Sequence, residues 1–168
     1  MNYLTIDKEN VCNGEGLRVV LWLSGCSHKC KGCQNPQTWD ANSGIQFDEE
    51  VKEKLFSELE KDYISGLTLT GGDPLFESNL NDVLELVDET RILFQQKTIW
   101  IYTGYLFEDI LCDPLKLEII KKCDVLVDGE YVKTLRDISL PFKGSTNQRV
   151  IDVQKTLKSE KIILYGQE

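Results

Sequence analysis

The chain is short of positive charge. It carries 19 Lys and Arg against 28 Asp and Glu, for a formal net charge of −9. No nucleic-acid partner is expected, because phosphate binding needs a basic stripe. Long apolar runs are missing too, and no stretch nears the ~20 residues of a membrane span. The opening MNYLTIDKEN has neither the basic start nor the apolar run of a signal peptide. Low-complexity tracts, charge blocks and Pro/Gly/Ser-rich linkers are also absent. The 168 residues therefore read as one domain over 1–168, long enough to bury roughly two-thirds of its unfolded surface. These absences point to a cytoplasmic protein with no membrane contact. There a cluster of cysteines reads as metal-binding or catalytic before it reads as a disulfide.

What remains is an alternation of apolar, β-branched runs with segments of helical period. LRVVLWLSG (17–25), GLTLT (66–70), KTIWIYT (97–103), DVLVDG (124–129) and KIILY (161–165) read as strands. Residues 48–63 place Val51, Leu55, Leu59 and Tyr63 four apart behind a possible Asp48 cap, which predicts an amphipathic helix. A second helix is expected over 78–94 and a third over 106–122, broken near Asp113-Pro114, with a polar loop before a short helix or strand near the end. Such repetition implies a mostly parallel sheet. Near-continuous apolar strands suggest a sheet covered on its faces. A complete eight-fold barrel needs ~250 residues. The expected fold is thus α/β, an open partial βα barrel with a curved sheet. Four polar signatures fall at the carboxyl ends of four strands, the edge where such folds bind ligands.

The first of these, SGCSHKCKGCQN, holds Cys26, Cys30 and Cys33 in a C-x3-C-x2-C spacing. Three thiolates can ligate three corners of a four-iron cube and leave one iron open, by the logic of an open catalytic zinc position. A structural zinc site with His28 as fourth ligand is the plain alternative. An electron-carrier site completed by Cys12, Cys112 or Cys123 is another, although those three read as small buried apolar residues. Gly71-Gly72-Asp73 after the second strand lets backbone come close to a ligand where a Cβ would intrude, or is only a turn opening on Pro74. Thr103-Gly104-Tyr105 after the third strand, and Asp128-Gly129-Glu130-Tyr131 after the fourth, have turn readings as well. Residues 143–149, KGSTNQR, form a donor-rich loop suited to ribose hydroxyls or a carboxylate, or a solvated loop.

In this order, NGEGLRVVLWLSGCSHKCKGCQN, GLTLTGGDPL, IWIYTGY, DVLVDGEY and FKGSTNQRVID resemble the radical S-adenosylmethionine superfamily, and within it the proteins that activate anaerobic ribonucleoside-triphosphate reductases. The resemblance implies a [4Fe-4S] cluster on Cys26, Cys30 and Cys33 and S-adenosylmethionine as the second cofactor. It implies reductive cleavage of that cofactor, and a 5′-deoxyadenosyl radical that makes a glycyl radical on the large reductase subunit. Gly71, Gly72, Asp73, Thr103, Gly104 and Tyr105 would wall the cofactor pocket, and Ser145, Asn147 and Arg149 would contact cofactor or partner. No side chain is expected to act as a general base. An external one-electron donor such as a flavodoxin is implied, since the chain holds no other redox centre. The alternatives are activation of another glycyl-radical enzyme such as pyruvate formate-lyase, and a non-enzymatic zinc or iron–sulfur scaffold.

Overall fold

The computed structural model describes residues 1–166. Seven strands form one open sheet: β1 (Asn2–Asn10), β2 (Arg18–Leu23), β3 (Ile45–Gln46), β4 (Gly66–Gly71), β5 (Thr98–Tyr102), β6 (Val125–Asp128) and β7 (Arg149–Asp152). Their order is β3-β1-β2-β4-β5-β6-β7. The central four, β2-β4-β5-β6, are parallel, and β1, β3 and β7 join antiparallel at the flanks. The helices are α1 (Glu49–Leu59), α2 (Leu80–Leu93), α3 (Phe107–Ile110), α4 (Pro114–Lys121) and α5 (Val153–Ser159). None is long and apolar enough to cross a membrane. Asp48 caps α1 by accepting from the Val51 N–H at 3.0 Å. The expected break of the third helix is real: Asp113 caps α4 through the Leu115 and Lys116 amides, with Pro114 in the first turn.

All five helices pack on one face of the sheet. Leu55 and Leu59 of α1, Val83 and Val87 of α2, Ile110, Ile119, Ile120 and Val153 join Val19, Leu21, Leu23, Leu67, Leu69, Ile99 and Ile101 in one core. Among the described residues no helix packs on the other face, which is covered all the same. Alternation turns the other residues of the same strands inward: Val20, Thr68, Trp100 and Val125 form one row across the sheet, and Trp22 pairs with Thr70 and Tyr102 with Val127 one step higher. This inner face is covered by Phe142 and Tyr165, which meet Trp100 edge-on, instead of by helices. Arg18 closes its floor, fully buried, with bonds to the hydroxyls of Thr68 and Thr98 and the carbonyls of Glu15, Leu67 and Thr98. Burial among neutral acceptors pulls that guanidinium down to about 10.

Two further expectations are corrected. Strand β1 has no counterpart in the sequence reading, because neither of its faces is fully buried and its apolar alternation is weak. KIILY is not a strand: it runs beside β7, touches it by a single bridge from Leu164 to Ile151, and puts Ile162 and Leu164 against the core.

Candidate metal centre and its cavity

The carboxyl ends of β2, β4, β5 and β6 surround a cavity of about 500 Å³ on the inner face. Cys26, Cys30 and Cys33 line it from the loop after β2, and Gly71, Gly72 and Asp73 from the end of β4. Thr103 and Gly104 line it after β5, and Gly129, Glu130 and Tyr131 after β6. Parallel pairing brings these four turns together, so residues a hundred positions apart share one rim.

The cysteine loop has no helix or strand between Ser24 and Asn35. Its stem is pinned by the Gly25 and Cys26 amides, which donate to the carbonyls of Thr38 and Trp39. Backbone N–H groups face the sulfurs: Asn35 donates to Cys33 Sγ at 3.3 Å, the His28 and Lys29 amides lie at Cys26, and Tyr131 at Cys30. Burial raises the Cys26 and Cys30 thiols above their ordinary value. Amides aimed at sulfur are the groups that tune a bound cluster.

Gly71 and Gly72 do allow a close approach, but what comes close is backbone of the cysteine strand and loop. A Cβ on Gly72 would lie 2.5 Å from the Gly25 carbonyl oxygen, and Gly71 sits at φ +98°. The Gly72 amide donates to Leu23 and the Asp73 amide to Gly25. Asp73 is 1% exposed. Its carboxylate accepts from the Thr103 hydroxyl at 2.9 Å, the Gly104 amide at 3.0 Å and the Leu75 amide at 2.8 Å. Asp73 thus ties the ends of β4 and β5 beneath the cavity.

His28 reaches the same point from the cysteine loop. Its Nδ1 bonds Glu130 Oε1 at 2.9 Å, and its Nε2 stands 2.9 Å from Asp73 Oδ2 but off the line of a hydrogen bond. Its ring meets Tyr105 edge-on at 4.6 Å. Asp73, first, and Glu130 raise its pKa, against the opposing effect of burial. His28 Nδ1 is engaged by Glu130 and its Nε2 lies against Asp73, so neither nitrogen is placed as a fourth ligand beside the thiols. Among the described residues no three His, Cys, Asp or Glu side chains converge at single-ion spacing.

The remaining expected residues divide. Tyr105 supports His28 and does not line the cavity. Ser145 is buried and accepts from the Val132 amide, and Asn147 donates to the Glu130 carbonyl. Arg149 binds the carboxylates of Asp128 and Glu108. From the KGSTNQR loop it is Lys143, Gly144 and Gln148 that face the cavity. The sequence reading passed over Trp22, Tyr102 and Phe142, whose signal was the inward parity of their strands or the aromatic beside a glycine loop. Of the cysteines read as buried, only Cys123 is; Cys12 and Cys112 are exposed, and Cys12 lines the cavity.

The donor set fits a four-iron cluster with S-adenosylmethionine. One loop offers three thiols, and the cavity has the volume of a cofactor site. Tyr102, which lines it, carries a buried hydroxyl with no partner among the described residues. A family model described as a 4Fe-4S single cluster domain matches residues 12–151, and the chain belongs to that class of iron–sulfur proteins. Within it the chain belongs to the family of anaerobic ribonucleoside-triphosphate reductase-activating proteins. It is 47% identical over 150 residues to the protein of that name from Enterobacteria phage T4, covering 89% of this chain and 93% of that one. It is 39% identical to that of Pasteurella multocida (88% and 95% covered) and 38% to that of Escherichia coli K12 (89% and 97%).

Proposed function

We propose that this chain activates an anaerobic ribonucleoside-triphosphate reductase as a radical S-adenosylmethionine enzyme, within a single domain over 1–168 and in the cytoplasm. The observation that carries the reading is the convergence of Cys26, Cys30 and Cys33 with the ends of β4, β5 and β6 on one cavity. The three thiolates would hold the cluster. The cavity walls around Gly71–Asp73 and Thr103 would hold S-adenosylmethionine, with Tyr102 and Gln148 offering polar atoms. The chemistry that the reduced cluster and cofactor supply there is one-electron cleavage of the sulfonium and removal of a hydrogen atom from a glycine Cα.

The chain's own residues position and exclude. Asp73 and Thr103 fix the floor on which the cofactor is oriented, and Trp22, Tyr102 and Phe142 make its inner wall dry. The mouth carries Ile138, which is 85% exposed, beside Leu140. A folded partner that inserts a glycine-bearing loop would cover that lip; a small substrate would leave it wet. The reductase large subunit is therefore the substrate, and a flavodoxin-type donor supplies the electron. Anaerobic reduction with S-adenosylmethionine should yield 5′-deoxyadenosine slowly from the chain alone. With the reductase it should yield an organic radical whose paramagnetic resonance doublet collapses when the reductase glycine is α-deuterated. If that reductase binds and stays diamagnetic while pyruvate formate-lyase gains the radical, the substrate assignment is wrong.

A further inference from the structure

The segment between Cys26 and Cys33 is not held by backbone hydrogen bonds to the sheet or the helices. Among the described residues, no backbone N–H or C=O of residues 27–32 bonds to another element; Cys33 N–H to Cys30 O is internal to the loop. Lys29 sits in the left-handed region at φ 49°. Besides the Tyr131 amide at Cys30 Sγ and the Lys133 side chain against Gly32, the side chain that ties this loop to the rest of the site is His28. His28 lies between Asp73 at the end of β4 and Glu130 beyond β6, with its ring on Tyr105 beyond β5. Beneath the ring is Gly104. A Cβ there would lie 2.6 Å from His28 Cγ and 2.7 Å from Nε2, inside the ring's van der Waals envelope. Gly104 has no positive φ, so alanine fits its backbone, and the space that it leaves is filled by His28.

We infer that His28 is a positioning residue: its imidazole, seated on Gly104 and held between Asp73 and Glu130, fixes the cysteine loop in the form that takes up the cluster. This rests on the cluster binding at Cys26, Cys30 and Cys33. His28 ligates nothing. Cluster assembly must bring three thiolates to fixed corners, and a loop that wanders loses that freedom at the moment of binding. A single anchor between the first two cysteines removes most of the search beforehand. The same contact makes Gly104 a socket for the loop instead of a wall against the cofactor.

The two accounts of Gly104 separate in a double-mutant cycle. His28→Ala, Gly104→Ala and the double variant are reconstituted anaerobically beside the wild type. Iron and sulfide per chain, cluster loss to a chelator, melting, and the reduced-cluster paramagnetic spectrum are read for each. Loss of a group that orients metal ligands costs about 10–100-fold in affinity, so each single variant should lose its cluster at least about 10-fold faster and show a broadened spectrum. The double variant should be no worse than His28→Ala, because the new Cβ then enters empty space. His28→Gln, which can still donate to a carboxylate, should recover part of the retention. Single variants that keep cluster and spectrum like the wild type would overturn the inference, as would losses that multiply in the double variant. If the wild type takes up no iron and sulfide, the cluster assignment falls first, and the inference with it.

Discussion

Arg149 offers the sharpest test of where the cofactor site ends. Its sequence context suggested a cofactor or partner contact, yet its guanidinium is held by Asp128, which is 0% exposed, and by the exposed Glu108. Asp128 also accepts from the Phe107 amide at 2.9 Å, so the cluster joins β6, β7 and α3. In Arg149→Met the Asp128 carboxylate stays buried and keeps only that amide. Removing one partner of a buried pair costs about 3–5 kcal/mol. The arginine side chain is 28% exposed, which lowers the expectation to about 2–4 kcal/mol once solvent screening is allowed for. For a domain of this size that is a fall of about 5–15 °C in Tm, read by calorimetry on the intact chain. Pairing with Arg149 also holds Glu108 at about 2. A depressed carboxylate stabilises above its unfolded value, and that part is lost as pH falls through the folded one. The gap between wild type and variant should therefore narrow from about pH 4.5 toward pH 2. S-adenosylmethionine affinity should not change. An unchanged Tm with weakened cofactor binding would refute the clamp and return Arg149 to the cofactor site.

Changing Cys26, Cys30 or Cys33 to Ala should abolish the four-iron cluster, measured as iron and sulfide, while Cys12→Ser and Cys112→Ser should leave it intact. A cluster that needs Cys12 would mean four thiolates and no open iron. Gly72→Ala should lower stability by about 1–3 kcal/mol in denaturant titration, because its Cβ meets the Gly25 carbonyl. A normal melt with lost cofactor affinity would show that the space belongs to ligand after all. Tyr102→Phe removes a buried hydroxyl that has no partner, so it should melt no lower than wild type and bind S-adenosylmethionine several-fold more weakly. Unchanged binding would exclude the hydroxyl from the cofactor.

The parallel core was legible because its strands are bounded runs ending in glycine, and because Asp48 and Asp113 announce the helices that follow. The three thiols were legible because their spacing is local. What sequence could not supply is parity and reach. That Trp22 and Tyr102 turn inward while Leu21 and Ile101 turn outward depends on which face the helices choose, and strands apolar on both faces hide the choice. Gly72 was read as a place where backbone comes close to a ligand, and only the register of β2 against β4 reveals that its neighbour is Gly25. Ser145, Asn147 and Arg149 look like ligand-binding residues in sequence, because polar side chains that satisfy buried backbone and those that satisfy a ligand have the same chemistry.

The sheet order places every strand of the site in the interior. Strands β2, β4, β5 and β6 are each paired on both sides, with the antiparallel β1 and the two-residue β3 outside them on one flank and β7 on the other. Amides of the inner four can exchange with deuterium only when a flank peels away or the whole domain opens, whereas β1, half-exposed and interrupted by two register shifts, can breathe alone. The margins of this protein are thus its thermal fuse. Small excursions open along β1 while β2, β4, β5 and β6 stay paired to one another beneath the thiols.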